Sequence, residues 1–300
     1  MTTRPAIAAL LVATLWLGGC ATGAGTRTVN GRFQVVAAEN FWGSIAAQLA
    51  GDRAEVTSIV ANPATDPHDY EATAGDARRI ASAGYVIVNG IGYDSWARKL
   101  LDADGTSGSR VLDVGRLVGV KVGGNPHQWY APATVTKVVA RVASDLARLD
   151  PANASYYAHR RDAYETQGLA EYRRVIAQIK ARYTGVPIGG SESIVTPLVD
   201  ALGLTMKTPE SFLDAVAEGN EPTARDTAIV NRQIAERAIR VFVFNRQNAT
   251  PDVTRLVEEA RARGIPVTTV TETMEPANST FQAWQTGQLR ALRDALGSGS

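Results

Sequence analysis

Apolar positions along this chain follow two alternating periods. Short apolar runs, many rich in β-branched residues, occur at Phe33–Ala38, Val56–Val60, Tyr85–Asn89 and Val111–Val114. They recur at Val186–Gly190, Leu204–Lys207, Val241–Asn245 and Val267–Thr271, and each run predicts a strand. Between them lie segments with apolar residues at helical spacing, among them Phe41–Ala50, Gly75–Ala83, Ile194–Leu202 and Thr254–Arg263. Strands alternating with helices predict parallel sheets covered by helices on both faces. With four strands in each half, the expected fold is α/β: two similar lobes, each a parallel four-stranded sheet flanked by helices. The halves share no residue-level repeat, so this symmetry is expected of the fold only.

Punctuation supports the segmentation. Thr73 with Asp76 forms a capping-box pattern, and Pro132 suits the first turn of a helix running to about Leu149. Asp150-Pro151 breaks that helix, and a second helical pattern extends from about Ala154 to Arg182. At 1.5 Å per residue it would be about 43 Å long, which suits one long rigid helix joining the lobes. The stretch Glu210–Glu221 reads as an acidic, solvated loop.

The N-terminus has a different character. Arg4 precedes an apolar run from Ala6 to Leu17, shorter than the roughly 20 residues a spanning helix needs. Leu17-Gly18-Gly19-Cys20 follows and resembles a bacterial lipobox, so cleavage before Cys20 and lipidation at that residue are expected. Cys20 is the only cysteine, which leaves none for a disulfide. Residues 21–30 read as a flexible tether with a reach of roughly 17 Å. The predicted organisation is a signal peptide (1–19), a lipid anchor and tether (20–30), a front lobe (31–150), a linking helix (151–183) and a rear lobe (184–300). An exported, membrane-anchored protein on the extracytoplasmic face is expected. Net charge is +1 with the signs interspersed, which provides no basic stripe for a nucleic-acid partner.

Candidate chemistry gathers at predicted strand ends. Two of only three histidines sit in Asp66-Pro67-His68 and Asn125-Pro126-His127, where proline stiffens each loop. Ligands of open parallel sheets bind outside the carboxyl ends of the strands. His68 and His127 follow strands of the front lobe; Glu192 and Glu272 follow strands of the rear lobe. Two imidazoles and two carboxylates would then face one cleft, a set whose charge a divalent cation neutralises. Asp66 and Asn125 are placed either to orient the rings or to cap their own turns. Phe41, Trp42, Tyr93, Trp96 and Trp129 are expected to pack near the cleft, and His159 to lie on the surface. Metal binding is expected to weaken in acid as the histidines protonate.

These residues and their settings resemble the solute-binding proteins of bacterial zinc and manganese ABC transporters. The resemblance rests on the lipobox, Asp66-Pro67-His68-Asp69-Tyr70-Glu71, Asn89-Gly90 with Asp94-Ser95-Trp96, Asn125-Pro126-His127-Gln128-Trp129, the segment from Glu192 to Gly203, and Thr271-Glu272. It implies two lobes joined by a long helix, with one divalent ion held between them. By position it maps the metal ligands to His68, His127, Glu192 and Glu272; the family usually has aspartate at the last. It implies no enzymatic role and a monomer that passes Zn²⁺ or Mn²⁺, with Fe²⁺ also compatible, to an ABC permease driven by its ATPase. Residues 104–124 lack histidine, unlike the histidine-rich loop of many zinc receptors. Competing readings are a metal-dependent hydrolase, a binder of an organic solute such as a siderophore or corrinoid on a related scaffold, and a surface adhesin.

Overall fold

The computed structural model describes residues 28–29, 32–65, 67, 70–106 and 108–298. Cys20, Asp66 and His68 lie outside the described residues, as do the expected signal and nearly all of the tether.

The first half opens with β1 (Thr28–Val29), β2 (Arg32–Glu39), α1 (Asn40–Ala50), β3 (Ala54–Val60), α2 (Ala74–Ser82) and β4 (Tyr85–Val88). It continues with α3 (Ser95–Ala103), β5 (Val111–Asp113), α4 (Val114–Val118) and α5 (Pro132–Leu149). Its parallel strands run in the order β3-β2-β4-β5, and β1 adds a short antiparallel pairing to the start of β2. The second half contains β6 (Pro187–Gly190), α8 (Thr196–Leu202), β7 (Thr205–Met206), α9 (Glu210–Ala217), α10 (Ala224–Ala235), β8 (Phe242–Asn245), α11 (Pro251–Ala262), β9 (Val267–Val270) and α12 (Phe281–Ser298). Its strands run β7-β6-β8-β9, all parallel. Numbered within its own lobe, each sheet therefore has the order 2-1-3-4. The symmetry expected without any repeat in sequence is present in topology. In each sheet the order reverses beside the first strand, the place where open α/β sheets bind ligands.

The link between the lobes is α6 (Ala154–Ala163) followed by α7 (Ala170–Tyr183), with a π turn at Tyr164–Gly168 between them. Leu169 N–H bonds to the Tyr164 carbonyl, 2.8 Å away, so the chain stays helical through the widened turn. One end of this link packs on α5 and α1, the other on α12 and α8. The segment read as an acidic loop is instead α9 over most of its length. Phe212, Leu213 and Val216 are buried there at helical spacing, and that apolar face outweighs the acidic one.

Alternation along the strands sorts the core. Val36, Ala38, Val86 and Val88 pack outward under α2 and α3, while Val35, Ala37, Tyr85 and Ile87 face inward. The inward cluster does not stop at the lobe boundary. It runs through Trp129 and Tyr130 to Leu198, Trp284 and Leu289 of the rear lobe. The lobes thus share one apolar core, and the hydrophobic effect opposes their separation.

Candidate metal centre

Glu192 and Glu272 each stand two residues beyond the end of a rear-lobe strand, β6 and β9. The loops that carry them are fixed from several sides. Asn245 N–H donates to Ser191 Oγ at 3.0 Å. Trp284 Nε1–H donates to Thr271 Oγ1 at 2.9 Å, and Thr273 N–H to Gln247 Oε1 at 3.0 Å. Both acids are buried.

His127 arrives from the front lobe, in the turn before α5, and is fully buried. Asn89 Nδ2 donates to the Pro126 carbonyl at 2.9 Å, which fixes the backbone just ahead of the ring. Trp129 and Tyr93 meet the imidazole edge-on, at 5.3 and 6.2 Å between centroids. Trp129 is itself stacked on Phe41 at 4.0 Å. Asn125 plays both parts open to it from sequence. Its Oδ1 accepts from His127 N–H and lies 2.9 Å from Nδ1, while its Nδ2 donates to the Ser193 carbonyl of the other lobe at 2.8 Å. That second bond identifies Oδ1 as the acceptor, so Nδ1 carries the proton and Nε2 presents its lone pair. Nε2 is 3.4 Å from Glu272 Oε1.

The structure brings His127, Glu192 and Glu272 together, with ligand atoms all within 4.8 Å of one another. His68, expected to be the fourth member, lies outside the described residues; His159 is exposed on α6. Burial pushes the Glu192 carboxyl up to about 8, and the charge of Glu272 adds to the effect. Burial holds His127 down at about 4. Proton uptake in mild acid therefore falls on Glu192, because this imidazole stays neutral there. Two buried carboxyl groups beside a neutral imidazole form a donor set suited to a divalent transition-metal ion.

Three residues at this site were not singled out as contacts from the sequence. Asn245 Nδ2 sits between the acids, 2.6 Å from Glu192 Oε1 and 3.1 Å from Glu272 Oε1. Asn248 Nδ2 donates to Glu192 Oε2 at 2.7 Å. Tyr93, expected only to pack nearby, donates across the lobes to Glu272 Oε2 at 3.0 Å. The signal for Asn245 was a polar residue closing an otherwise apolar strand. Two cavities flank the centre: one of about 660 Å³ reaches His127, and one of about 600 Å³ reaches Glu272 and Asn245.

Two α/β lobes with two carboxyl groups and an imidazole buried at their boundary define a candidate metal centre. Residues 35–295 match the family described as zinc-uptake complex component A, periplasmic, and the chain belongs to that family. It is 29% identical over 171 residues to the manganese-binding lipoprotein MntA of Halalkalibacterium halodurans, and 27% identical over 162 residues to the iron-binding protein YfeA of Yersinia pestis. These matches cover 54% and 52% of this chain, and the chain spans about half the length of those relatives, 56% and 50%. The MntA lipoprotein of Bacillus subtilis is 23% identical over 87% of both chains. Among solved structures, FpvC of Pseudomonas aeruginosa in complex with Mn²⁺ aligns with a TM-score of 0.73 at 20% identity, covering 90% of this chain and all of that one. The Mn-bound S38A mutant of a periplasmic metal-binding protein from Candidatus Liberibacter asiaticus also aligns at 0.73, with 17% identity over 88% of this chain and all of that one. At such identities the likeness is one of fold.

Proposed function

We propose that the chain is a metal receptor of an ABC transporter. It captures one divalent transition-metal ion between its lobes and delivers it to a membrane permease powered by a separate ATPase. His127, Glu192 and Glu272 are the described ligands in this reading, with His68 as the fourth. The exported chain, cleaved before Cys20 and lipidated there, works as a monomer at the extracytoplasmic face of the membrane. Residues 31–150 and 184–300 are the two binding lobes, and 151–183 is the helix between them. The proteins it resembles are named for manganese and iron, and its family for zinc; Mn²⁺ and Zn²⁺ are the leading cargoes.

The observation that carries this reading is the convergence of His127, Glu192 and Glu272 within 4.8 Å at a buried boundary between lobes. Neutral imidazole and two carboxylates compensate a dipositive ion almost fully, and the two lobes must close for all of them to reach it. The burial of the three donors supports binding over turnover, because a catalytic metal keeps a coordination position open for water or substrate.

The test is metal analysis of the purified, chelator-stripped chain, with titration of Mn²⁺ and Zn²⁺. One ion per chain with submicromolar affinity, lost in both His127→Ala and Glu192→Ala, is the expected result. Retention of full affinity in either variant would remove the centre from the function.

A further inference from the structure

The amide groups around the two acids are arranged in a way that simple bracing does not require. Asn245 is fully buried at the end of β8, and its Oδ1 accepts from Gln247 N–H at 3.1 Å. With the oxygen so engaged, Nδ2 must face the acids. There it meets Glu192 Oε1 and Glu272 Oε1. Asn248 gives one amide hydrogen to Glu192 Oε2 and the other to the Val216 carbonyl, 3.0 Å away in the last turn of α9. Tyr93 occupies Glu272 Oε2. Every one of the four carboxylate oxygens thus accepts a hydrogen bond from a side chain that is itself tied down.

A carboxylate oxygen offers two lone-pair directions. Where a carboxylate holds a metal through one oxygen, a donor is needed only on the other, to keep it turned away. Donors on both oxygens make the two equivalent, fix the carboxylate plane and leave a lone pair on each oxygen of Glu192. Such a group presents two oxygens to an ion rather than one. That matters for selection, because intrinsic affinity favours zinc over manganese at almost any such site and only geometry can tilt the choice. Zinc settles at about four ligands near 2.0–2.2 Å. An oxygen-preferring ion such as Mn²⁺ tolerates about six.

We infer that Asn245 and Asn248 set the metal selectivity of this centre: by pinning both oxygens of Glu192 they favour a higher-coordinate, oxygen-preferring ion such as Mn²⁺ over zinc. This inference rests on the metal-receptor reading. Both asparagines are positioning residues that act through Glu192.

The experiment measures Mn²⁺ and Zn²⁺ dissociation constants by chelator competition on the stripped chain and on Asn248→Ala. It also counts light-atom neighbours of bound manganese by X-ray absorption. In the variant, manganese should bind at least tenfold more weakly, about 1.4 kcal/mol, while zinc changes less than threefold. The manganese neighbour count should fall by about one as Glu192 swings to single-oxygen contact. Equal weakening of both metals with an unchanged neighbour count would overturn the inference and leave the amides as braces. Failure of the unaltered chain to bind either metal would instead defeat the receptor reading itself. Asn248 is only partly buried, which favours folding of the variant; circular dichroism checks this, and Asn248→Leu, close in volume but without a donor, decides by the same ratio if the alanine variant does not fold.

Discussion

Each lobe buries a glutamate at the end of the first strand of its 2-1-3-4 sheet, and the two glutamates meet different surroundings. Glu39 closes β2 in the front lobe; Glu192 stands just beyond β6 in the rear lobe. Burial raises both carboxyls above the ordinary glutamate range. Glu39 faces Asp94, whose carboxylate accepts the backbone N–H groups of Asn89 and Gly90 at 2.6 and 2.8 Å. Asp94 is pushed up to about 6 by burial, against those bonds. Burial, with the charge of Asp94 beside it, holds the Glu39 carboxyl well above the ordinary glutamate range. The pair stabilises the loop whose Asn89 side chain anchors Pro126, ahead of His127. Glu192 instead has a second acid, a histidine from across the boundary and side-chain amides for partners. A buried acid pair alone does not make a metal centre. The difference lies in the surroundings: fixed backbone N–H groups on Asp94 in one lobe, an imidazole and side-chain amides facing two acids in the other.

The largest effect that tests this contrast is on binding. Glu192→Ala should weaken metal affinity at least a hundredfold in a competition titration, while Glu39→Gln, near in size and away from the three donors, should change it less than threefold. Comparable losses in both would erase the distinction between the two pairs. Next in size is the pH profile. With Glu192 at about 8, an incoming ion must displace a proton below that pH. Affinity should thus fall about tenfold for each unit of acidification below about pH 8. His127, near 4, adds nothing to the slope above pH 5, and the same titration on His127→Asn would expose any imidazole share.

Glu39→Gln also changes stability, with a defined sign. A carboxyl whose folded pKa is raised favours the folded state below its unfolded value of about 4.4, and that contribution is lost as pH rises toward the folded value. The loss is about 1.4 kcal/mol per unit. For Asp94 the window runs from about 4 to about 6. Replacing Glu39 with the neutral amide removes the contribution of its raised carboxyl. Metal-free Glu39→Gln should therefore be more stable than the unaltered chain at pH 7 and no more stable at pH 4, read from urea unfolding. A variant less stable at both pH values would mean that the buried Glu39 carboxyl does not burden the fold at neutral pH.

Much of this was legible in the residues. Short apolar runs located all eight parallel strands among the described residues, because buried parallel strands need little more than β-branched apolar residues between turns. The Thr73–Asp76 capping box is present in both of its bonds. Glu192 and Glu272 stood out just beyond predicted strands, and His127 in a loop stiffened by Pro126. The amides were harder to see. Asn245 and Asn248 are common turn residues, and nothing local distinguishes one that caps a turn from one that meets a carboxylate more than fifty positions away. Glu39 falls one residue past the run expected to end at Ala38, and Asp94 lies across a loop shaped by Gly90, at φ +74°, where a Cβ would come 2.4 Å from Asp113 Oδ1. Such pairings depend on tertiary placement. The π turn in the linking helix shows in sequence only as a five-residue step between the buried Tyr164 and Leu169.

The smallest effect concerns the shared core behind the centre, and it separates holding the lobes together from holding the ion. Tyr130 lies in the front lobe, fully buried, and its hydroxyl is 3.0 Å from the Thr271 carbonyl and 2.8 Å from Gln288 Oε1 of the rear lobe. Thr271 immediately precedes Glu272, so this contact ties a metal-centre loop to the front lobe from behind. Tyr130→Phe keeps the ring, including its edge-on contact with Trp284 at 6.0 Å, and removes only the hydroxyl. Thr271 N–H retains Gln288 Oε1 at 3.0 Å, which limits the damage to one buried carbonyl left with less satisfaction. The expected cost is about 1 kcal/mol in urea unfolding of the metal-free chain, with metal affinity reduced less than fivefold. If instead affinity collapsed while stability held, the back of the boundary would govern the centre as strongly as its own donors, and the division between a rigid shared core and a cation-dependent front would have to be abandoned.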